Sequence, residues 1–309
     1  MKKRVWSGTA GIVLTLAVAV TAGCGNKNEN GAAAATGGTS PSAQSSQSVQ
    51  STQASQSASA SPAESSPAAD QVKKIVVGTG TQFPKVAFLD EKGKLTGFDV
   101  ELVKEIDERL AGYEFELQTM DFGNLLLSLE TKKIDFVAHE MEKNPEREQK
   151  YLFNKEPYAH WRNKIIVAKD NDAIHSLDDL AGKKVLTGAT SAEAQILENY
   201  NKEHDKKINI VYQNGAANDT VNQVSTGRVD ATLGADFALP LIDPQGKLKT
   251  VGDDLSEADI LFVFRKDDPE SRQLADDIDG AIKQLKADGT LGNLSKQWLG
   301  QDFTADTVK

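Results

Sequence analysis

From Val72 to the neighbourhood of Trp298, short apolar runs alternate with stretches whose apolar residues recur every three or four positions. That alternation restricts the fold more than any other property of the chain. Lys74-Ile75-Val76-Val77-Gly78 reads as a buried strand, and Leu102, Val103, Ile106 and Leu110 then recur at helical spacing after Asp99, a residue type suited to capping a helix start. Glu114 to Met120 alternates as a strand, Leu125, Leu126 and Leu129 mark a second helix, and Ile134 to Ala138 is another short strand. Parallel neighbours require a crossover between them, so this βαβαβ order predicts a mainly parallel sheet with helices on both faces. A second round runs through Lys164 to Val167, Val185 to Thr187, a helix from Ala192 to Tyr200, Ile208 to Tyr212, a helix near Val221 to Thr226, and Val229 to Gly234. Leu261 to Phe264 is a last strand; Ile278, Ile282 and Leu285 build a helix ended by Asp288-Gly289, and a short terminal helix carries Leu291, Leu294 and Trp298. Two such α/β units side by side leave a cleft, and open α/β sheets bind ligands beyond the carboxyl ends of their strands.

The first quarter cannot belong to that core. Lys2, Lys3 and Arg4 precede an apolar run from Ile12 to Val20, too short to span a bilayer, and small residues then lead to Cys24, the pattern of a secretory signal over residues 1–23. Residues 24–71 are almost wholly Gly, Ala, Ser, Thr, Gln, Asn and Pro, without one aromatic side chain. Such a stretch buries too little surface to offset its ordering entropy and reads as a tether. Cys24 is the only cysteine, which excludes an intramolecular disulfide. The formal net charge of −10 becomes about −13 once the basic signal is removed, and no basic stripe is present, so a nucleic-acid partner is not expected.

Five blocks of sequence, in order, resemble the family 3 extracellular solute-binding proteins, the polar amino-acid receptors of ABC importers. They are Gly93-Lys94-Leu95-Thr96-Gly97-Phe98-Asp99; Asn144-Pro145-Glu146-Arg147 with Tyr151 to Tyr158; Ser176 to Val185; Gly227-Arg228-Val229-Asp230-Ala231; and Leu285 to Leu291 with Gln297-Trp298-Leu299-Gly300. Thr21-Ala22-Gly23-Cys24 likewise resembles a bacterial lipobox, with Thr21 where Leu is usual. The resemblance implies a two-lobed periplasmic-binding-protein-like α/β fold, two parallel-rich sheets joined by a hinge of two crossing strands. Lobe 1 is expected at residues 72–161 and 261–302 and lobe 2 at 162–260, with hinge strands near Tyr158 to Ile166 and Asp259 to Phe264 and a tail at 303–309. It also implies an extracytoplasmic monomer anchored to the membrane through a lipidated Cys24, with an amino-acid ligand, ABC permease partners and no cofactor.

The resemblance assigns the site residue by residue. Arg147 takes the place of an arginine whose guanidinium fork matches a carboxylate. Thr190 and Ser191 fall at a loop and helix start, where free amides and hydroxyls favour an anion. Asp236 matches an aspartate that receives the ligand's ammonium. Phe83 sits where a tyrosine lies against the ligand, and Trp161 lies beside the first hinge. Glu140 and Glu142 occupy positions usually held by Gly, Ser or Thr; if they face the cleft, one α-ammonium cannot balance the charge, and a basic amino acid or cystine is implied, with cystine preferred.

Other chemistries find little support in the residues. Gly78-Thr79-Gly80 has no lysine after it and reads as a strand exit rather than a phosphate loop. His139-Glu140-Met141-Glu142-Lys143 begins like a zinc-protease helix but lacks the second histidine, so no metal site is expected. No Gly-x-Ser-x-Gly elbow occurs. The alternatives are a dehydratase of the cyclohexadienyl type, for which Glu140 or Glu142 is the candidate general acid, and a subunit that presents its ligand to a sensor.

Overall fold

The computed structural model describes residues 72–213 and 217–305. The expected signal peptide, Cys24, the linker and the last residues of the expected tail, 306–309, lie outside the described residues. In chain order the elements are β1 (Lys73–Thr79), β2 (Gln82–Phe83), β3 (Ala87–Leu89), β4 (Leu95–Thr96), α1 (Phe98–Arg109), β5 (Tyr113–Thr119), α2 (Phe122–Glu130), β6 (Phe136–Val137), α3 (Pro145–Lys150), β7 (Tyr151–Phe153) and β8 (Ala159–Ala168). There follow β9 (Lys184–Gly188), α4 (Ala192–Glu203), β10 (Asn209–Gln213), α5 (Ala217–Ser225), β11 (Ala231–Ala235), α6 (Ala238–Ile242), β12 (Leu248–Ile260), β13 (Val263–Arg265), α7 (Pro269–Ala287) and α8 (Thr290–Leu299).

Two five-stranded sheets form, in the orders β5-β1-β6-β13-β7 and β10-β9-β11-β8-β12. In each, three neighbouring strands are parallel, and the remaining pairings, through β13 in the first sheet and β8 in the second, are antiparallel. The sheets are therefore mixed, parallel where the crossover helices dictate it. Val77 and Gly78 are buried between helices on both sides, which is why β1 is apolar without alternation. Leu102, Val103 and Ile106 of α1 and Leu274, Ile278, Ile282 and Leu285 of α7 pack into one core with Ile75, Val77, Phe136, Phe262 and Phe264. Each fully buried Leu or Ile there contributes about 1.5–3 kcal/mol.

The chain leaves the first sheet on β8 and returns on β12, and these two strands pair from Ala168↔Leu248 to Ala159↔Ile260. The return crossing therefore ends at Ile260, and the strand expected over residues 261–264 begins only at Val263, inside the first sheet. Phe303, placed in the expected tail, is fully buried, donates its N–H to Ser295 Oγ and accepts from the His160 amide.

The start of α1 also differs from expectation. Gly97, not Asp99, holds the cap position at φ 125°, where a Cβ would lie 2.3 Å from the Val86 carbonyl oxygen. Asp99, one position into the helix, is fully buried and accepts the Glu140 amide at 2.7 Å. Its carboxylate ties the helix to the loop after β6 instead of closing its own first turn.

Candidate functional site

A cavity of about 250 Å³ opens at the carboxyl ends of the parallel strands of both sheets. Gly80 and Thr81 follow β1, Met120 and Asp121 follow β5, His139 and Glu140 follow β6, and Ala189 and Ser191 follow β9 on its wall. The geometry of α/β sheets thus sets its location, because loops leaving the same end of adjacent parallel strands converge.

Arg147 is fixed by local sequence. Asn144 Oδ1 accepts the Arg147 amide at 2.8 Å, and Pro145 supplies the first helical residue of the short α3, whose missing N–H costs nothing there. Arg147 is 7% exposed, and its guanidinium donates to the Glu142 carbonyl at 2.7 Å and across the cleft to the Thr190 carbonyl at 3.0 Å. Asn199 Nδ2, donating to Glu146 Oε1 at 3.3 Å, adds a bond between α3 and α4 themselves. Ser191 caps α4 by accepting the Ala194 amide at 3.0 Å, and its hydroxyl lies 3.2 Å from Thr187 Oγ1. Thr190, at φ 66°, contributes its carbonyl to Arg147; its side chain is not on the cavity wall.

Carboxylates gather on the wall. Glu142 is buried, and its oxygens accept from Asn163 Nδ2 at 2.9 and 3.1 Å and from Trp161 Nε1 at 3.2 Å. Burial, and next the charge of Glu193, push its carboxyl up to about 7 against those bonds and Arg147. Glu140, at φ 50°, has an occluded Oε1 without a hydrogen-bond partner among the described residues, as has Asp99 through Oδ1. Burial, then the charges of Asp99, Glu193 and Glu142, hold Glu140 well above the usual carboxylate range, and burial pushes Asp99 up to about 7. Burial thus favours the protonated form of these carboxyls, and a cation placed against them would favour their ionised form.

Asp236 does not line this cavity. Its amide donates to the Arg162 carbonyl at 2.9 Å, its Oδ1 is occluded without a partner among the described residues, and burial raises its pKa. Phe83 does line it, with its ring stacked on Phe237 at 6.0 Å between centroids, and Trp161 closes the wall behind Glu142. The structure therefore brings Phe83, Glu140, Glu142, Arg147 and Ser191 together, and supplies two residues that sequence reasoning passed over. Glu193 lines the cavity from the first turn of α4, where an acidic residue reads simply as a partner of the helix dipole. His139, set aside as half a zinc motif, is buried on the same wall; its Nδ1 accepts the Gly80 amide at 3.4 Å, and burial pushes its pKa down to about 4.

Residues 75–301 match the family model for bacterial extracellular solute-binding proteins, family 3. The chain is 48% identical over 238 residues to the L-cystine-binding protein TcyK of Bacillus subtilis, covering 76% of this chain and 87% of the relative. It is 49% identical over 244 residues to the L-cystine-binding protein TcyJ of the same organism, covering 77% and 88%. A solved structure described as a putative L-cystine ABC transporter from Listeria monocytogenes superposes with a TM-score of 0.72 at 48% identity, covering 77% of this chain and all of that one. A cleft between two α/β units, a family model matched over residues 75–301 and relatives 48–49% identical make this chain a member of the family 3 bacterial extracellular solute-binding proteins.

Proposed function

We propose that this protein is the extracytoplasmic substrate-binding component of an amino-acid ABC importer and that its ligand is L-cystine. The observation that carries the ligand is the trio of carboxylates, Glu140, Glu142 and Glu193, on the wall of a cavity that also holds Arg147. A ligand with one ammonium leaves this charge unbalanced, whereas cystine brings two ammonium groups, and its carboxylates have donors in Arg147 and the start of α4. Met120, Phe83, Phe122 and Trp161 on the same wall offer the polarisable and aromatic contacts that sulfur favours. The names of the two Bacillus subtilis relatives point to the same ligand. In this reading the ligand leaves chemically unchanged, Cys24 carries a lipid anchor, and the protein works as a monomer that delivers to permease subunits.

The test is a thermal-shift panel of the common amino acids with cystine and ornithine, followed by calorimetry, since a ligand that binds only the folded state raises its melting temperature. Cystine should give the largest shift. A clear preference for glutamate, or for an aliphatic amino acid, would overturn the assignment.

A further inference from the structure

Residues 301–303, beyond α8, pack where the two sheets meet, outside the cavity that the ligand would fill. Phe303 is fully buried although it belongs to no helix or strand. Ser295 Oγ on α8 holds this segment at two points, accepting the Phe303 amide at 2.9 Å and donating to the Gln301 carbonyl at 2.8 Å. A buried segment outside regular structure must still find partners for its backbone polar groups, and the Phe303 carbonyl accepts the His160 amide at 2.8 Å.

His160 lies on β8, the strand by which the chain leaves the first sheet. One edge of β8 is paired there with β12, at His160↔Asp259. β11 covers the other edge as far as Asn163, and the Asp236 amide then bonds the Arg162 carbonyl before the chain turns into α6. Backbone groups two residues apart face the same edge of a strand, so the His160 amide is the next donor along that edge, and Phe303 takes it where β11 has ended. The crossing strand is thus held on both edges at the point where it passes between the sheets.

The ring of Phe303 completes the tie. It meets Phe237 edge-on, with centroids 5.7 Å apart. Phe237 follows β11 of the second sheet, yet it is buried in the core of the first, where it also stacks on Phe83 and lies 4.7 Å from Trp161. Phe83 and Trp161 line the cavity, whereas Phe237 and Phe303 do not. Phe237 therefore stands between the cavity wall and the segment after α8, and a shift of one sheet against the other here moves its ring against Phe303. We propose that residues 301–303 are a further element of the hinge, a clamp that raises ligand affinity through Phe237 by favouring the arrangement in which Arg147 reaches Thr190 across the cleft. Phe237 and Phe303 act in it as positioning residues.

Phe303→Leu and Phe237→Leu, which keep an apolar side chain in the core, should each weaken L-cystine binding by about threefold to tenfold, the worth of one aromatic pair, chiefly through faster dissociation. Ser295→Ala, which releases the segment from α8 and leaves both rings in place, should act in the same direction, and it carries the reading if a leucine variant does not fold. Thermal melts give the stability of each variant, and calorimetry is run well below its melting temperature. The double variant separates a clamp from plain packing: if Phe303 acts through Phe237, Phe303→Leu adds less than about twofold to the loss once residue 237 is already leucine. Lower melting temperatures with affinity unchanged, or losses that multiply in the double variant, would overturn the clamp. The clamp does not depend on which amino acid is bound. If wild-type protein does not take L-cystine, the ligand assignment falls, and the same variants are titrated with whichever amino acid gives the largest thermal shift in the panel above.

Discussion

Replacing Arg147 with alanine removes two charge-assisted hydrogen bonds that do different work. The bond to the Glu142 carbonyl, at 2.7 Å, lies on one side of the cleft and holds the loop between β6 and α3. The bond to the Thr190 carbonyl, at 3.0 Å, joins α3 to the loop before α4 across the cleft. Hydrogen bonds to charged groups contribute about 1.5–3 kcal/mol each, so the first loss falls on folding stability and the second on closure. Removing the guanidinium also leaves the carboxylates on the wall without their nearest cation and deprives a ligand carboxylate of its partner. Truncating one member of a buried charged pair costs about 2–5 kcal/mol, and that is the expected loss of ligand affinity. It corresponds to a factor of about 30 to several thousand in Kd. Calorimetry on the folded variant measures it, and X-ray scattering with saturating ligand should show a weaker contraction than in the wild type. A loss below about tenfold, with contraction unchanged, would refute both roles. Arg147→Lys, which keeps the charge but not the planar fork, should fall between the two.

Three further expectations follow from the buried groups and from one glycine. Asp99, Glu140 and Glu142 have carboxyl pKa values raised in the folded state, Asp99 and Glu142 to about 7. Their stabilising contribution is complete at acidic pH and is lost as the pH rises through about 7, while His139, held near 4, opposes them as the pH falls below its ordinary value. The ligand-free protein should therefore melt at a lower temperature at about pH 8 than at about pH 5. Binding of cystine near pH 6.5, which brings ammonium groups against these carboxyls, should release protons, seen as a binding enthalpy that changes with the ionisation enthalpy of the buffer. A buffer-independent enthalpy would remove these carboxyls from the site. Gly97→Ala places a methyl group 2.3 Å from the Val86 oxygen at a φ of 125°, and should cost more than about 3 kcal/mol in denaturant unfolding, well above an ordinary surface substitution.

The elements that sequence reveals best are those whose burial pattern is set locally. The buried residues of α1 and α7 fall at helical spacing, Asp288-Gly289 ends α7 with Gly289 at φ 81°, and β1 is apolar because both of its faces are covered. β12 is the opposite case. Leu248–Ile260 is rich in charge and mostly exposed or half-buried, and it is a strand because β8 offers it a ladder along most of its length. No window of residues around Asp253 and Asp254 carries that information. Asp99 was legible as a helix-start residue but not as a partner of Glu140, since the bond spans 41 residues. The same holds in the site. Arg147, Phe83 and Ser191 could be placed through the family blocks, whereas Glu193 and His139 come to line one cavity only when α4 and the exit of β6 meet across it.

The position of β13 also dictates the order in which the chain can acquire its structure. Residues 159–260 supply the whole of the second sheet without interruption, but in the first sheet β13 separates β6 from β7 and is paired with both. Until Val263–Arg265 arrives, β6 and β7 each present an unpaired edge, and the helices α7 and α8 that cover this sheet come later still. The second lobe can thus reach its final form from contiguous chain, while the first waits for a closure that joins segments more than a hundred residues apart. Interrupting the chain before Val263 would leave one lobe whole and the other with two open strand edges, poised to pair with another copy.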